Sequence, residues 1–387
     1  MRKAEIIIIG GGVVGASVAY HLTMRGARDV LILERETELG KGSTGKATGG
    51  IRAQFETDIN IKMSLYSIDF FKQFDDLTGT QCGYEPRGYL FFATDDAQFE
   101  YLKRNVEKQK ALGVKDVEIV DTKTISEIVR GLNCADITGG SFGANDGFIN
   151  PLGVLEGFTK KAEAAGAKLL YETKVSAIET KNGKVTAVET NRGRIECEKV
   201  VLCAGAWARE LARTAAIDLP VEPLKRQIVW AKSNLDLQEN LPMVIDLGSG
   251  FHFRPAKDSK NEVLFAYPDA DESASFDTNF DESFIEKVYE KAGNRAPFLA
   301  ATEVIREKCR AGLYENTPDH HAILGGCEIS NLFFANGFSG HGVMHSPATG
   351  RALAEIMLDG KSSFLDVSCL SLDRFAKGDL LHETAFI

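Results

Sequence analysis

The chain has 387 residues, a net charge of −10, and 44% hydrophobic and 26% charged residues. These values fit a folded globular protein of two or three domains and exclude a disordered chain, a collagen and a coiled-coil rod. With no basic block, the acidic balance argues against nucleic acid, whose binding needs clustered Lys and Arg.

The seven cysteines, Cys82, Cys134, Cys197, Cys203, Cys309, Cys327 and Cys369, are odd in number and include no C-x-x-C pair. That usage signals neither a disulfide framework nor a zinc ribbon, and it points to a reducing, cytoplasmic setting. Arg2, Lys3 and Ile6–Ile9 resemble the start of a signal peptide, but Glu5 and the Gly10-Gly11-Gly12 run spoil that reading. No stretch of about 18 apolar residues predicts a membrane span.

Residues 5–9, a run of isoleucines after Glu5, predict a short buried parallel strand. Gly10, Gly12 and Gly15 follow at the G-x-G-x-x-G spacing, with Val14 inside the motif. A helical pattern runs from Val13 to Arg25, and Gly26 is a natural stop. Val30–Leu33 is a second buried strand, and Glu34 and Arg35 end it. The physics is specific: a tight turn at Gly10, backbone close to a pyrophosphate at Gly12, close helix–strand packing at Gly15, and a helix N-terminus for the anion. Glu34 is placed to accept hydrogen bonds from the ribose hydroxyls of an adenosine, which argues against a 2′-phosphate despite Arg35.

Residues 40–52 form a second small-residue loop holding Ser43, Thr44, Thr48, Gly49, Gly50, Ile51 and Arg52. Ser43 and Thr44 can donate to phosphate, and Gly49 and Gly50 permit close approach to a flat ring. An NAD domain does not need this loop, whereas an extended FAD runs on through it. Residues 199–207 predict a buried strand running into a turn at Gly205 and Trp207. Asn331–Ala335 is another strand, leading into Gly337, Phe338, Ser339, Gly340, His341, Gly342 and Val343 and then a helix to about Leu358. Pro347 is read as lying near the start of that helix, where a missing N–H is harmless. A glycine loop entering a helix N-terminus suits negative charge developing on a flavin pyrimidine ring.

Taken together, these segments resemble the D-amino-acid-oxidase-like family of FAD-dependent amine oxidoreductases, in particular its sarcosine oxidase β-subunit, L-proline dehydrogenase and glycine oxidase branch. The resemblance rests on the N-terminal fingerprint, Ser43–Arg52, Asp146-Gly-Phe-Ile-Asn-Pro151, Ala204-Gly-Ala-Trp207, Gly312–Asp319, Gly337–Gly342 and the Leu372-Asp-Arg-Phe375 tail. It implies an α/β fold: a Rossmann-like FAD-binding domain (1–82, 146–218 and 304–387) intertwined with an antiparallel-sheet substrate domain (83–145 and 219–303). Strand-like pieces at 88–92, 226–230, 250–254 and 263–267 would build that sheet over the flavin. The resemblance also implies that the Val175 backbone contacts adenine.

The resemblance implies that Arg52 clamps a substrate carboxylate, for which a guanidinium fork is suited. His341 would sit near the flavin pyrimidine edge. His252 matches a pocket tyrosine of monomeric sarcosine oxidases, and one of the pairs His252/Arg254 or Phe251/Phe253 should face the pocket. Tyr314 stands where relatives place a flavin-adjacent or carboxylate-binding residue. His320-His321 reads as structural. His341 and His345 are spaced i, i+4, but no carboxylate completes a metal motif, so no metal is expected. The acidic stretch from Asp269 to Glu282 reads as a solvated loop.

Three departures matter. Gly312 replaces the cysteine that carries covalent flavin in some relatives, so FAD is expected to be non-covalent. Met344 replaces a carboxylate-binding lysine. Leu264 falls where monomeric sarcosine oxidases place an oxygen-activating lysine. The expected activity is oxidation of the C–N bond of a small amino acid or N-methyl amino acid by hydride transfer to flavin N5. The electron acceptor is oxygen or a redox carrier, and a partner subunit or homo-oligomer is left open. The alternatives are an FAD-dependent 2-hydroxy acid dehydrogenase, with His252 or His341 as base, and a non-catalytic flavoprotein subunit or assembly factor.

Overall fold

The computed structural model describes residues 3–257 and 259–383. The isoleucine run forms the strand Lys3–Ile9, whose residues from Ile6 on are buried. It pairs in parallel with Val30–Leu33 on one side and Ile195–Leu202 on the other. The sheet continues outward to Lys168–Leu170 at one edge and through Leu332–Asn336 to Ile323–Gly326 at the other. Continuous burial on both faces explains why these strands read as unbroken apolar runs rather than alternating ones.

One face of this sheet is covered by the helices Val13–Met24, Pro151–Ala164 and Gly342–Asp359. The other carries the hairpin Val175–Lys181/Lys184–Thr190 and the helix Ala208–Thr214. Asn182 and Gly183 make the hairpin turn with φ of 53° and 72°, the positive pair that this two-residue turn requires. The strand expected to run into a turn at Gly205 is Ile195–Leu202, and Gly205–Trp207 is a single 3-10 turn.

The second sheet runs in the order Val117–Val120, Gly139–Gly143, Tyr89–Ala93, Met243–Asp246, His252–Pro255, Glu262–Ala266, Glu222–Lys232 and Glu303–Val304. Its pairings are antiparallel except between Met243–Asp246 and Tyr89–Ala93. Phe251, Phe253 and Phe265 pack on one side of it against Phe284 and Val288 of the helix Ser283–Arg295. Arg310–Asn316 pairs antiparallel with residues 222–228 of the strand Glu222–Lys232, so this stretch of the 304–387 segment extends the antiparallel sheet. Among the described residues no helix is long and apolar enough to cross a membrane.

One local expectation is corrected. Pro347 lies inside the helix Gly342–Asp359, beyond its first turn. A proline there leaves the Val343 carbonyl without its usual donor. Ser346 Oγ donates to that carbonyl at 2.8 Å and repairs the gap. The Ser346 carbonyl in turn accepts from Ser17 Oγ at 2.7 Å, which ties the last long helix to the first.

Candidate functional site

The carboxyl ends of the parallel strands open into a cavity of about 780 Å³ that extends beneath the antiparallel sheet. Crevices at this position are where open α/β sheets bind ligands. Gly10, Gly12 and Val14 line its floor, where the first strand turns into the first helix. Gly10 has a φ of 111°, and a Cβ on Gly15 would fall inside the Gly10 carbonyl. Gly15 therefore does not line the cavity; it lets helix and strand close up behind the turn. Thr44 Oγ1 accepts from Val13 N–H at 3.1 Å and braces the second loop against the helix N-terminus.

Glu34 accepts from the backbone N–H of Gly11 at 2.8 Å and of Glu36 at 2.9 Å. Its carboxylate is thus fixed at the end of the second strand, with lone pairs left for two hydroxyls. The Arg35 guanidinium lies 3.6 Å from the centre of the Trp207 ring, and Phe276 stacks on Trp207 with centroids 5.7 Å apart. Val175 and Gly205 complete this end of the cavity. A fixed carboxylate, a planar stack and a glycine turn onto a helix N-terminus make a cradle suited to an adenosine and a pyrophosphate.

The second loop runs on from there. Ser43, Thr44, Thr48 and Gly50 line the cavity, while Ile51 is fully buried in the core. Ser43 Oγ donates to the Leu313 carbonyl at 2.7 Å, and Arg254 donates to the Thr48 carbonyl. Gly50 and Ile51 pair with Phe148 and Gly147. This pairing gives the Asp146–Pro151 motif its role. Asp146 is buried and accepts from Ala53 N–H at 2.7 Å and from Gln54 Nε2 at 2.9 Å, and burial raises its carboxyl to about 7. Asn150 caps the helix that Pro151 begins.

Arg52 is 3% exposed. Its Nη1 donates to the Gln54 carbonyl at 2.6 Å, its guanidinium carbon lies 4.0 Å from the Phe55 ring centre, and its Nη2 stands 3.4 Å from His341 Nε2. His341 caps the last long helix, and Gly342 is the first residue of that helix. Burial, then the Arg52 charge, hold the His341 imidazole well below its usual range. His345, one turn on, bonds Ser64 Oγ at 2.9 Å and is pushed down to about 3 by burial. Both rings are therefore neutral, and among the described residues no group of metal-ligating side chains occurs.

Gly340, His341, Gly342 and Val343 line the cavity, whereas Gly337 and Ser339 do not. Ser339 turns inward, its hydroxyl oxygen accepting from Thr317 N–H at 3.2 Å. Those two residues shape the loop from behind. Gly340 has a φ of 96° and lies flat on Tyr314, so that a Cβ there would stand 2.5 Å from the tyrosine ring. His252 lines the cavity, whereas Arg254 on the same strand face reaches the loop at Thr48; Phe251 and Phe253 face the core. His252 Nδ1 donates to the Gly250 carbonyl at 2.9 Å, and burial lowers the imidazole to about 4. His321 bonds Thr57 Oγ1 at 2.9 Å through Nε2 and the Asp319 carbonyl at 2.6 Å through Nδ1.

The tail motif meets the Gly312–Asp319 motif directly. Arg374 makes a fork to Asp319, at 2.7 and 2.9 Å, with both side chains buried. The acidic stretch is less solvated than its composition suggests: Asp277 and Glu272 hold Lys225 at 3.1 and 3.6 Å, and Asp269 holds Lys287 at 2.8 Å.

Several cavity residues escaped sequence reasoning. Arg226, Gln227, Lys46 and Glu315 all line it. Glu315 keeps a buried oxygen, Oε2, without a hydrogen-bond partner, and burial raises its carboxyl to about 7. The signal was local: Glu315 is next to Tyr314, but its strand pairs with a segment 90 residues earlier in the chain, for example Leu224 with Tyr314.

The comparisons with known proteins agree with this geometry. Residues 5–356 match the family of FAD dependent oxidoreductases named DAO. FAD-dependent oxidoreductase domain-containing protein 1 of Xenopus laevis is 31% identical, over 97% of this chain and 83% of that protein. Mitochondrial dimethylglycine dehydrogenase of Mus musculus is 28% identical over 97% of this chain, which spans 44% of that longer protein. The crystal structure of L-proline dehydrogenase from P. horikoshii is 30% identical with a TM-score of 0.90, covering 98% of this chain and 99% of that one. The glycine cradle, the fixed Glu34 carboxylate and the orphaned Glu315 oxygen suit FAD, the cofactor of this family. The chain belongs to the DAO family of FAD-dependent oxidoreductases.

Proposed function

We propose that this protein oxidises the C–N bond of a small amino acid or N-methyl amino acid. The observation that carries the reading is Arg52: a buried guanidinium, fixed by Gln54 and Phe55, in the cavity that holds the cofactor. Such a fork orients a carboxylate with geometry as well as charge. The names of similar proteins, among them dimethylglycine dehydrogenase, L-proline dehydrogenase and a 4-methylaminobutanoate oxidase, support an amine beside or near a carboxylate.

When bound, FAD supplies the two-electron acceptor for the hydride. The chain supplies orientation, dryness and charge. The amine must be neutral to release hydride, and a buried cavity with the Arg52 cation disfavours an ammonium. Oxidation of a 2-hydroxy acid would instead need a base for the hydroxyl proton. His252 and His341 are both held below their ordinary range by burial, which makes them weak bases and favours the amine reading.

Non-covalent FAD is part of the proposal. Gly312 packs against Lys46, and Cys309 is turned to the Trp230 and Ile305 carbonyls outside the cavity. Passage of electrons to a carrier other than oxygen is supported by Leu264, buried against Ile228, Ala256 and Trp230, and by Met344 in the cavity wall. The division into a cofactor domain (1–82, 146–218, 304–387) and a substrate domain (83–145, 219–303) is proposed with the two sheets in support. A cytoplasmic location is supported by seven free cysteines.

The test is anaerobic bleaching of the flavin band near about 450 nm, a property of the cofactor, with a panel of amino acids, N-methyl amino acids and 2-hydroxy acids. Bleaching by an amino acid and its loss in Arg52→Ala, with the yellow colour retained, is the expected result. Bleaching by hydroxy acids alone overturns the reading. Acid precipitation should release all the flavin into solution.

A further inference from the structure

Away from Arg35 at the Trp207 end, the cavity that Arg52 lines is also lined by Arg226. It projects from the strand Glu222–Lys232, in register with Gly312, and its Cζ lies 5.7 Å from the centre of the Tyr314 ring. Gly340 also packs on that ring, and the next residue, His341, contacts Arg52. Arg226, Tyr314, His341 and Arg52 thus stand in sequence along one wall.

Arg226 is unusual in its pairing. The adjacent Lys225 takes Glu272 and Asp277, at 3.6 and 3.1 Å. Arg226 has no carboxylate within ion-pair distance among the described residues. Its Nη1 donates to the Lys225 carbonyl at 3.3 Å, and its Nε is buried with no hydrogen-bond partner. An arginine cannot shed its proton, so a half-buried guanidinium with a buried, unpartnered Nε and no carboxylate is costly unless a ligand supplies the anion. The cofactor's phosphates belong at the other end of the cavity, by Gly12 and the N-terminus of the first helix.

We infer that the substrate carries two anionic groups: an amino acid whose side chain or nitrogen substituent ends in a second carboxylate, held by Arg226 while Arg52 holds the first. This rests on the amine-oxidation reading and narrows its substrate class. A tyrosine ring separates the two guanidiniums, so the two carboxylates are joined by a spacer of several atoms rather than one. A small neutral amino acid would leave Arg226 unsatisfied and bind weakly.

The test uses the FAD-loaded protein and unreactive acids. Acetate, malonate, succinate and glutarate are titrated while the flavin difference spectrum is followed. The expected result is a Kd for succinate or glutarate at least tenfold below that for acetate. In Arg226→Gln the diacid Kd should rise to the acetate value. Arg226→Lys keeps the charge and loses the fork, and it should retain part of the preference; it also serves if the glutamine variant fails to hold flavin. Equal affinity for acetate and every diacid, or a diacid preference that survives in both variants, overturns the inference alone. Absence of any spectral response to all four acids overturns the carboxylate reading of Arg52 and the inference with it. Flavin reduction by N-methylaspartate or N-methylglutamate, compared with sarcosine, gives an independent readout of the same preference.

Discussion

Arg52 Nη2 stands 3.4 Å from His341 Nε2, across 289 residues of sequence. Arginine has no acceptor, so the imidazole offers a lone pair at Nε2 and keeps its proton at Nδ1. The contact joins the loop after the second glycine run to the cap of the last long helix, and each motif aims a residue of the other. His341→Asn leaves a polar acceptor within reach of Arg52, whereas His341→Leu does not. The leucine variant should weaken acetate binding about tenfold, since a hydrogen bond to a charged group contributes about 1.5–3 kcal/mol. The asparagine variant should lose less. Equal loss in both, read from flavin difference titrations, would mean that the histidine acts by bulk alone.

Two glycines of the first turn separate folding from cofactor binding. A Cβ on Gly12 would meet nothing closer than Thr44 Oγ1 at 3.4 Å, an ordinary contact, but it would project into the cavity. A Cβ on Gly15 collides with the Gly10 carbonyl oxygen of the strand turn. Gly12→Ala should therefore fold with the apoprotein's stability and lose FAD. Gly15→Ala should cost about 3 kcal/mol or more through overpacking. Urea melts of the two apoproteins, together with flavin content per chain, check both. A Gly12→Ala protein that purifies fully yellow would refute the first.

Asp146 tests how the Arg52 loop is held. Its two oxygens accept from Ala53 N–H and Gln54 Nε2. Asparagine keeps the shape but turns one acceptor into a donor, which then faces a donor. A buried group left unsatisfied costs about 1–3 kcal/mol. Asp146→Asn should lower the thermal midpoint and weaken acetate binding at Arg52, although Asp146 does not line the cavity. Lower stability with unaltered acid binding would confine Asp146 to a structural role.

These contrasts mark what the sequence could tell. The first turn was legible because its physics is local: strand, glycines, helix and acid all lie within 35 residues. Arg52 and the His341 loop were legible as motifs, and their mutual contact was not, because it depends on closing a loop of nearly 300 residues. Arg226 carries no motif, and Glu315 lies in the Gly312–Asp319 motif with nothing local to assign it a role. They reach the cavity only because Arg310–Asn316 pairs with residues 222–228 in the other sheet, a register that no local pattern predicts. Pro347 was placed too near the helix start because the Ser346 hydroxyl that compensates for it gives no sequence signal of its own.

His21 gives a pH dependence with a definite sign. It is buried in the first helix, its Nδ1 donates to the Ser17 carbonyl at 2.9 Å, and burial lowers the imidazole to about 4. The unfolded chain binds this proton near the ordinary value of about 6.5. Between those two values the unfolded state carries the proton and the native state does not. The stabilising contribution is therefore complete above about pH 6.5 and is lost as pH falls toward 4, by about 1.4 kcal/mol per pH unit. Asp146 and Glu315, both raised to about 7, act with the opposite sign over the same window: their native forms hold protons that the unfolded chain has released. Wild type and His21→Asn share those carboxyls, so the difference between the two proteins isolates the histidine. Asparagine can keep the donor to Ser17 while removing the titration. Urea unfolding at pH 6 and pH 5 should show a wild-type loss about 1.4 kcal/mol larger than that of the variant. Identical losses would mean that His21 is protonated in the native state, and that its burial is relieved by water.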